Sequence, residues 1–138
     1  MKPVGRLLAC AVALGFVLAG CGEQSAEEEP VDLQSLQLKV RALAVDTCHT
    51  RPRDQAPRKC EKYITQIANA ARTVSTAGRI NHEGLRDPGR EMTRAVRDYN
   101  QGGCDNQRPK SVSACYRALE TIAQAVKDVE AELEEIVQ

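Results

Sequence analysis

The sequence predicts an all-α fold: an antiparallel, up-down-up-down four-helix bundle over residues 31–138. Three observations point there. Apolar residues recur at three- and four-residue intervals in four separate stretches, the period of a helix with one buried face. Beyond residue 30 the only aromatics are Tyr63, Tyr99 and Tyr116, so the core must come from Ala, Leu, Ile and Val. That palette suits close helix packing and suits strands poorly. No stretch alternates apolar and polar residues between turn dipeptides, as a half-buried strand would.

The first helix is expected from about Val31 to Thr47, with Leu33, Leu36, Val40 and Leu43 on its inner face. A second starts near Pro57, turns Cys60, Ile64, Ile67, Ala71 and Val74 to one side, and is expected to stop at Gly78. Residues 79–87 form a connection. Asp87-Pro88 has the form of an N-cap followed by proline at the first helical position. The third helix then carries Met92, Val96 and Tyr99 and ends at Gly102-Gly103. The fourth gives the clearest signal: Val112, Cys115, Leu119, Ile122, Val126, Val129, Leu133 and Ile136 keep 3-4 spacing without a break. From Ser111 it should rise roughly 39 Å. Short connections make successive helices antiparallel neighbours, and Ala68, Ala70, Ala71, Ala118, Ala123 and Ala125 permit close approach.

An internal repeat fits this plan. Cys60–Val74 aligns with Cys115–Val129, sharing the cysteine, Ile67/Ile122, Ala68/Ala123, Ala70/Ala125 and Val74/Val129. Upstream, Leu36, Val40, Arg41, Leu43 and Cys48 match Met92, Val96, Arg97, Tyr99 and Cys104. Two copies of one disulfide-closed helical hairpin would produce this pattern. Two amphipathic helices of similar composition would also align by heptad alone.

The amino terminus has the layout of an export signal: Lys2 and Arg6, an apolar run from Leu7 to Gly20, then small residues. The run would rise only about 21 Å as a helix, short of a bilayer core of roughly 30 Å. Leu18-Ala19-Gly20-Cys21 resembles the lipobox of bacterial lipoproteins. That resemblance implies removal of residues 1–20, a diacylglycerol on the Cys21 sulfur and usually a third acyl chain on its amino group. With roughly 0.8 kcal/mol per buried methylene, two or three chains make a stable anchor in a lipid bilayer. Gly22 follows the cysteine where aspartate could stand; in a host with two membranes the family pattern then favours the outer one. Residues 21–30 (CGEQSAEEEP) would be an acidic tether with too little apolar content to fold.

With Cys10 lost in the signal and Cys21 acylated, Cys48, Cys60, Cys104 and Cys115 remain. Four cysteines in a small exported domain point to two disulfides. Spacing favours Cys48–Cys60 and Cys104–Cys115, each closing one loop. A structural zinc site would show tight pairs such as C-x2-C, which are absent.

Charge is zero overall but unevenly placed. Residues 21–38 hold five acids and no base, 39–117 sixteen bases and eight acids, and 118–138 one base and six acids. In the expected topology both disulfide loops lie at the pole away from the anchor. That pole gathers Arg51, Arg53, Arg58, Lys59, Arg108 and Lys110 against Asp54 and Asp105. Glu130, Glu132, Glu134 and Glu135 lie toward the anchor, where repulsion from anionic headgroups would hold the domain off the surface. Arg86, Arg90, Arg94 and Arg97 form a second basic row, with Asp87, Glu91 and Asp98 close enough for pairing along one helix.

No catalytic constellation is visible. His49 and His82 are the only histidines, both in expected loops and neither in a triad or metal-ligand pattern, so both are expected to be solvated. C-x-x-C-H, C-x-x-C, G-x-x-x-x-G-K and G-x-G-x-x-G are all absent. The basic pole holds no aromatic for base stacking, so no nucleic-acid partner is expected. The expectation is therefore a non-enzymatic envelope lipoprotein without cofactor or metal, recognising an acidic envelope protein through its basic pole. Two alternatives stand beside it. One is a small-ligand or metal sensor using the bundle interior, with Thr47, Tyr63 and Tyr99 as its polar groups. The other is a structural spacer with no specific ligand.

Overall fold

The structure is a computed structural model that describes residues 30–138. The signal, the lipobox with Cys21 and residues 21–29 of the tether lie outside the described residues. The rest is helical, with no strand among the described residues: α1 (Leu33–Ala44), α2 (Thr47–Thr50), α3 (Glu61–Ile80), α4 (Arg86–Gln101) and α5 (Val112–Val137). Two 3-10 turns, Pro57–Cys60 and Glu83–Leu85, lead into α3 and α4. No described helix is long and apolar enough to cross a membrane.

α4 packs against α3 on one side and α5 on the other, and α1 lies against both α3 and α5. Contacts step backward along α5 as they advance from α1. Gln37 donates to the Leu133 carbonyl, Arg41 meets Glu134 and Glu130, and Arg53 beyond the helix reaches Glu120. The core between them is mostly the expected face: Leu36, Val40, Leu43, Ile64, Ile67, Val74, Met92, Tyr99, Leu119, Ile122, Val126, Val129 and Leu133 are all buried. Val112, expected on the inner face, opens α5 from an exposed position.

Helix boundaries depart from expectation where local hydrogen bonding competes with the apolar period. The first helix stops at Ala44 instead of continuing to Thr47. Asp46 turns its carboxylate onto the Cys48 amide at 2.7 Å and starts a new helix, α2. The break carries Cys48 inward and leaves Thr47 exposed. Helix α3, by contrast, runs through Gly78 to Ile80. That glycine serves close approach, since a Cβ there would stand 2.8 Å from the backbone of Arg86. At the start of α4, Asp87 makes no capping bond. The Glu83–Leu85 turn, anchored by the buried Leu85, winds directly into the helix at Arg86. Pro88 falls in the first turn, where its missing N–H leaves no intrahelical bond unmade.

The exit from α4 and the entry to α5 follow the residues closely. Gly103 takes φ +63°. Its amide donates to the Asn100 carbonyl and the Cys104 amide to the Tyr99 carbonyl, the paired bonds of a Schellman ending. Ser111 caps α5 by accepting from the Ala114 amide.

Candidate functional site

Both disulfides form as the spacing predicts. Cys48–Cys60 and Cys104–Cys115 have Cα separations of 5.7 and 5.5 Å. The α2 break aims Cys48 at Cys60, and the Schellman turn aims Cys104 at Cys115. All four cysteines are buried.

The end of α4 holds both loops. Fully buried near that end, Tyr99 donates its hydroxyl to the Pro57 carbonyl at 2.7 Å. Three residues on, the Gly102 carbonyl accepts from the Lys110 amide at 3.0 Å. The end of α4 thus holds the turn carrying Arg58 and Lys59 through Tyr99 and the loop carrying Arg108 and Lys110 through Gly102. Burial pushes the Tyr99 phenol up to about 12, with Asp105 and Glu61 adding to the shift.

The six basic residues of this end divide into two groups. Arg51 pairs with Asp54 at 3.8 Å. Arg53 crosses to α5 and grips both carboxylate oxygens of Glu120, at 2.5 and 3.1 Å, with its guanidinium 5.8 Å from the Tyr116 ring centre. Arg58, Lys59, Arg108 and Lys110 are exposed, and their side chains make no ion pair among the described residues.

His49 is a correction to the solvated loop residue expected. It lies on α2, only 6% exposed, with its Nδ1 3.2 Å from the Tyr63 hydroxyl. Burial, and next the charge of Lys127, hold its imidazole below the ordinary value, while Asp46 acts the other way. Of the three polar groups expected in the seams, Tyr63 and Tyr99 are buried and Thr47 is not. No local pattern signals the burial of His49: Thr47, the other neighbour of Cys48, is exposed.

Elsewhere some charged side chains pair and others do not: Lys39, Lys62, Arg97, Arg117 and Lys127 make no ion pair among the described residues. On the α4 row, Arg86 meets Glu83 and Asp87, Arg90 meets Asp87, and Arg94 meets Glu91. No buried side-chain nitrogen or oxygen among the described residues lacks a hydrogen-bond partner. No group of three or more His, Cys, Asp or Glu side chains among them could hold a metal ion.

The comparisons with known proteins supply no relative: no protein-family model matches the chain, and no curated protein or solved structure is significantly similar to it.

Proposed function

We propose that this chain is an acyl-anchored lipoprotein of a bacterial envelope, without catalytic activity. Its four long helices form an up-down-up-down bundle, and the disulfide-braced end of that bundle docks an acidic protein. Cys21 is the lipidation site, and residues 21–30 tether the domain to the outer face of the membrane. Helix α1 leads away from the tether, so the cysteine-closed loops stand at the far pole.

The observation that carries this reading is the Tyr99–Pro57 bond, which ties the first disulfide loop to the end of α4 from which the second departs, both loops carrying exposed cations. Two crosslinks and a buried hydrogen bond leave little loop entropy to lose on binding. Leu36/Met92, Val40/Val96, Leu43/Tyr99, Ile64/Leu119, Ile67/Ile122 and Val74/Val129 are all buried pairs, as a repeat and a shared heptad pattern both require.

Two measurements test the proposal. Mass spectrometry of the processed chain should recover an acylated peptide beginning at Cys21; an unacylated amino terminus removes the anchor. Photocrosslinkers placed at Asn106 and Gln55 in intact envelopes should capture one reproducible acidic neighbour. Absence of any reproducible neighbour would leave the spacer reading in its place.

A further inference from the structure

We infer that recognition at this end belongs to Arg58, Lys59, Arg108 and Lys110, which together receive an extended acidic peptide segment, while Arg51 and Arg53 act as internal fasteners. The inference rests on the proposed role of this end as a docking surface and names its working residues and its ligand.

Geometry separates the two groups. Arg53 spends its guanidinium on both oxygens of Glu120 and on the face of Tyr116, and Arg51 spends its charge on Asp54. A carboxylate arriving from solvent would have to displace those partners. Nothing of the kind blocks the other four, whose side chains are exposed and without ion pairs among the described residues. Two lie on each disulfide loop; the Tyr99–Pro57 bond holds the first loop against the end of α4, and the Lys110 amide holds the second to the Gly102 carbonyl at that same end. Glu61 and Asp105, the acids whose charges act on Tyr99, lower the net charge of this surface without pairing with the four cations.

The arrangement suits a chain of carboxylates more than a single anion. The four cations are exposed and carried two on each of two separate loops. A ligand with repeated charge can meet them in succession, and arginine adds two-point hydrogen bonding to carboxylates. Stacking on bases is not available either, because Tyr116 already lies under Arg53.

The test uses the full processed chain in non-ionic detergent, with fluorescently labelled poly-glutamate as probe. Binding should weaken steeply with salt. R58E/K59E and R108E/K110E should each weaken it about tenfold and flatten its salt dependence. R53A, at a temperature where it is folded, should bind like the parent; melting curves of every variant establish that folding is kept. If the parent binds while both charge-reversed pairs bind equally well, or if R53A loses as much as they do, this assignment is overturned and the docking proposal survives. Preference for phosphatidylglycerol vesicles over poly-glutamate overturns the peptide as ligand. A parent chain that ignores poly-glutamate even at low salt defeats the docking proposal itself, and this inference with it.

Discussion

Cys48 and Cys60 stand twelve residues apart, and Cys104 and Cys115 eleven, so as closed loops the two are nearly equal. Their surroundings differ. The first loop is secured three times over: α2 tucks His49 against Tyr63, Pro57 is held by Tyr99, and Arg53 straps the segment to Glu120 on α5. The second leaves α4 through Gly103 and returns through the Ser111 cap, with residues 105–108 and Lys110 exposed between. The same covalent device therefore does different physical work. In the first loop it joins parts already packed, whereas in the second it restrains a segment with few other contacts.

Removing each bridge breaks this comparison most forcefully. Loop entropy alone assigns each about 3 kcal/mol. C48S/C60S and C104S/C115S should therefore lower the thermal midpoint by similar amounts in calorimetry. Hydrogen exchange should tell them apart. Without the second bridge, amides 104–111 should exchange quickly while α5 beyond its first turns stays protected. Without the first, the His49 and Arg53 contacts should keep residues 47–60 partly protected. Equal exposure of both loops would refute the contrast.

The tyrosines come next. Y99F leaves the Pro57 carbonyl without its partner and should cost about 1–2 kcal/mol in denaturant unfolding. Y63F removes the partner of His49 and should cost a similar amount, localised to the first loop. A further difference is expected: Y99F should loosen the first loop around Pro57 in hydrogen exchange, because its hydroxyl ties that turn to α4.

Much of this was legible in the residues. The helical class, the buried faces of the four long helices, the cysteine pairing and the Gly102-Gly103 stop all follow from spacing and turn chemistry. The departures share one cause. Asp46, Gly78 and Asp87 each carry a local signal whose meaning depends on a partner distant in sequence. Asp46 caps α2, the short turn on which Cys48 meets Cys60. Gly78 looks like a helix stop until α4 lies across it. Asp87 looks like a cap until the buried Leu85 starts the helix earlier. The split among the basic residues was hidden for the same reason: Glu120 lies 67 positions from Arg53, beyond any local pattern.

pH offers a gentler probe of the same contrast. The His49 imidazole is held below its ordinary 6.5 in the folded chain, chiefly by burial and then by Lys127, so the folded state prefers it neutral. Above about 6.5 that preference is fully satisfied; as pH falls below it, the unfolded chain binds a proton the folded chain resists, and stability declines. Tyr99 acts at the other extreme. Its phenol stays protonated to about 12 when folded, so stability falls as pH rises from 10 toward that value. H49Q should flatten the acid limb near neutrality and leave the alkaline one; Y99F should only reduce the alkaline limb, because burial also pushes the Tyr63 phenol up, and Y63F/Y99F should remove most of it. An unchanged acid limb in H49Q would mean that His49 is not what senses the proton.

The smallest effect should come from the strap. Arg53 and Glu120 are substantially exposed, so water and salt screen their attraction. Its value lies in geometry more than in strength: two parallel hydrogen bonds and the Tyr116 face restrict where the loop can lie. R53A should lower the melting temperature slightly at low salt, with the difference fading as salt rises. R53K keeps the charge but loses the planar fork, so it should behave like R53A in amide exchange across residues 51–56. If R53K protects that segment as well as arginine does, charge alone holds the strap and the two-point grip is incidental.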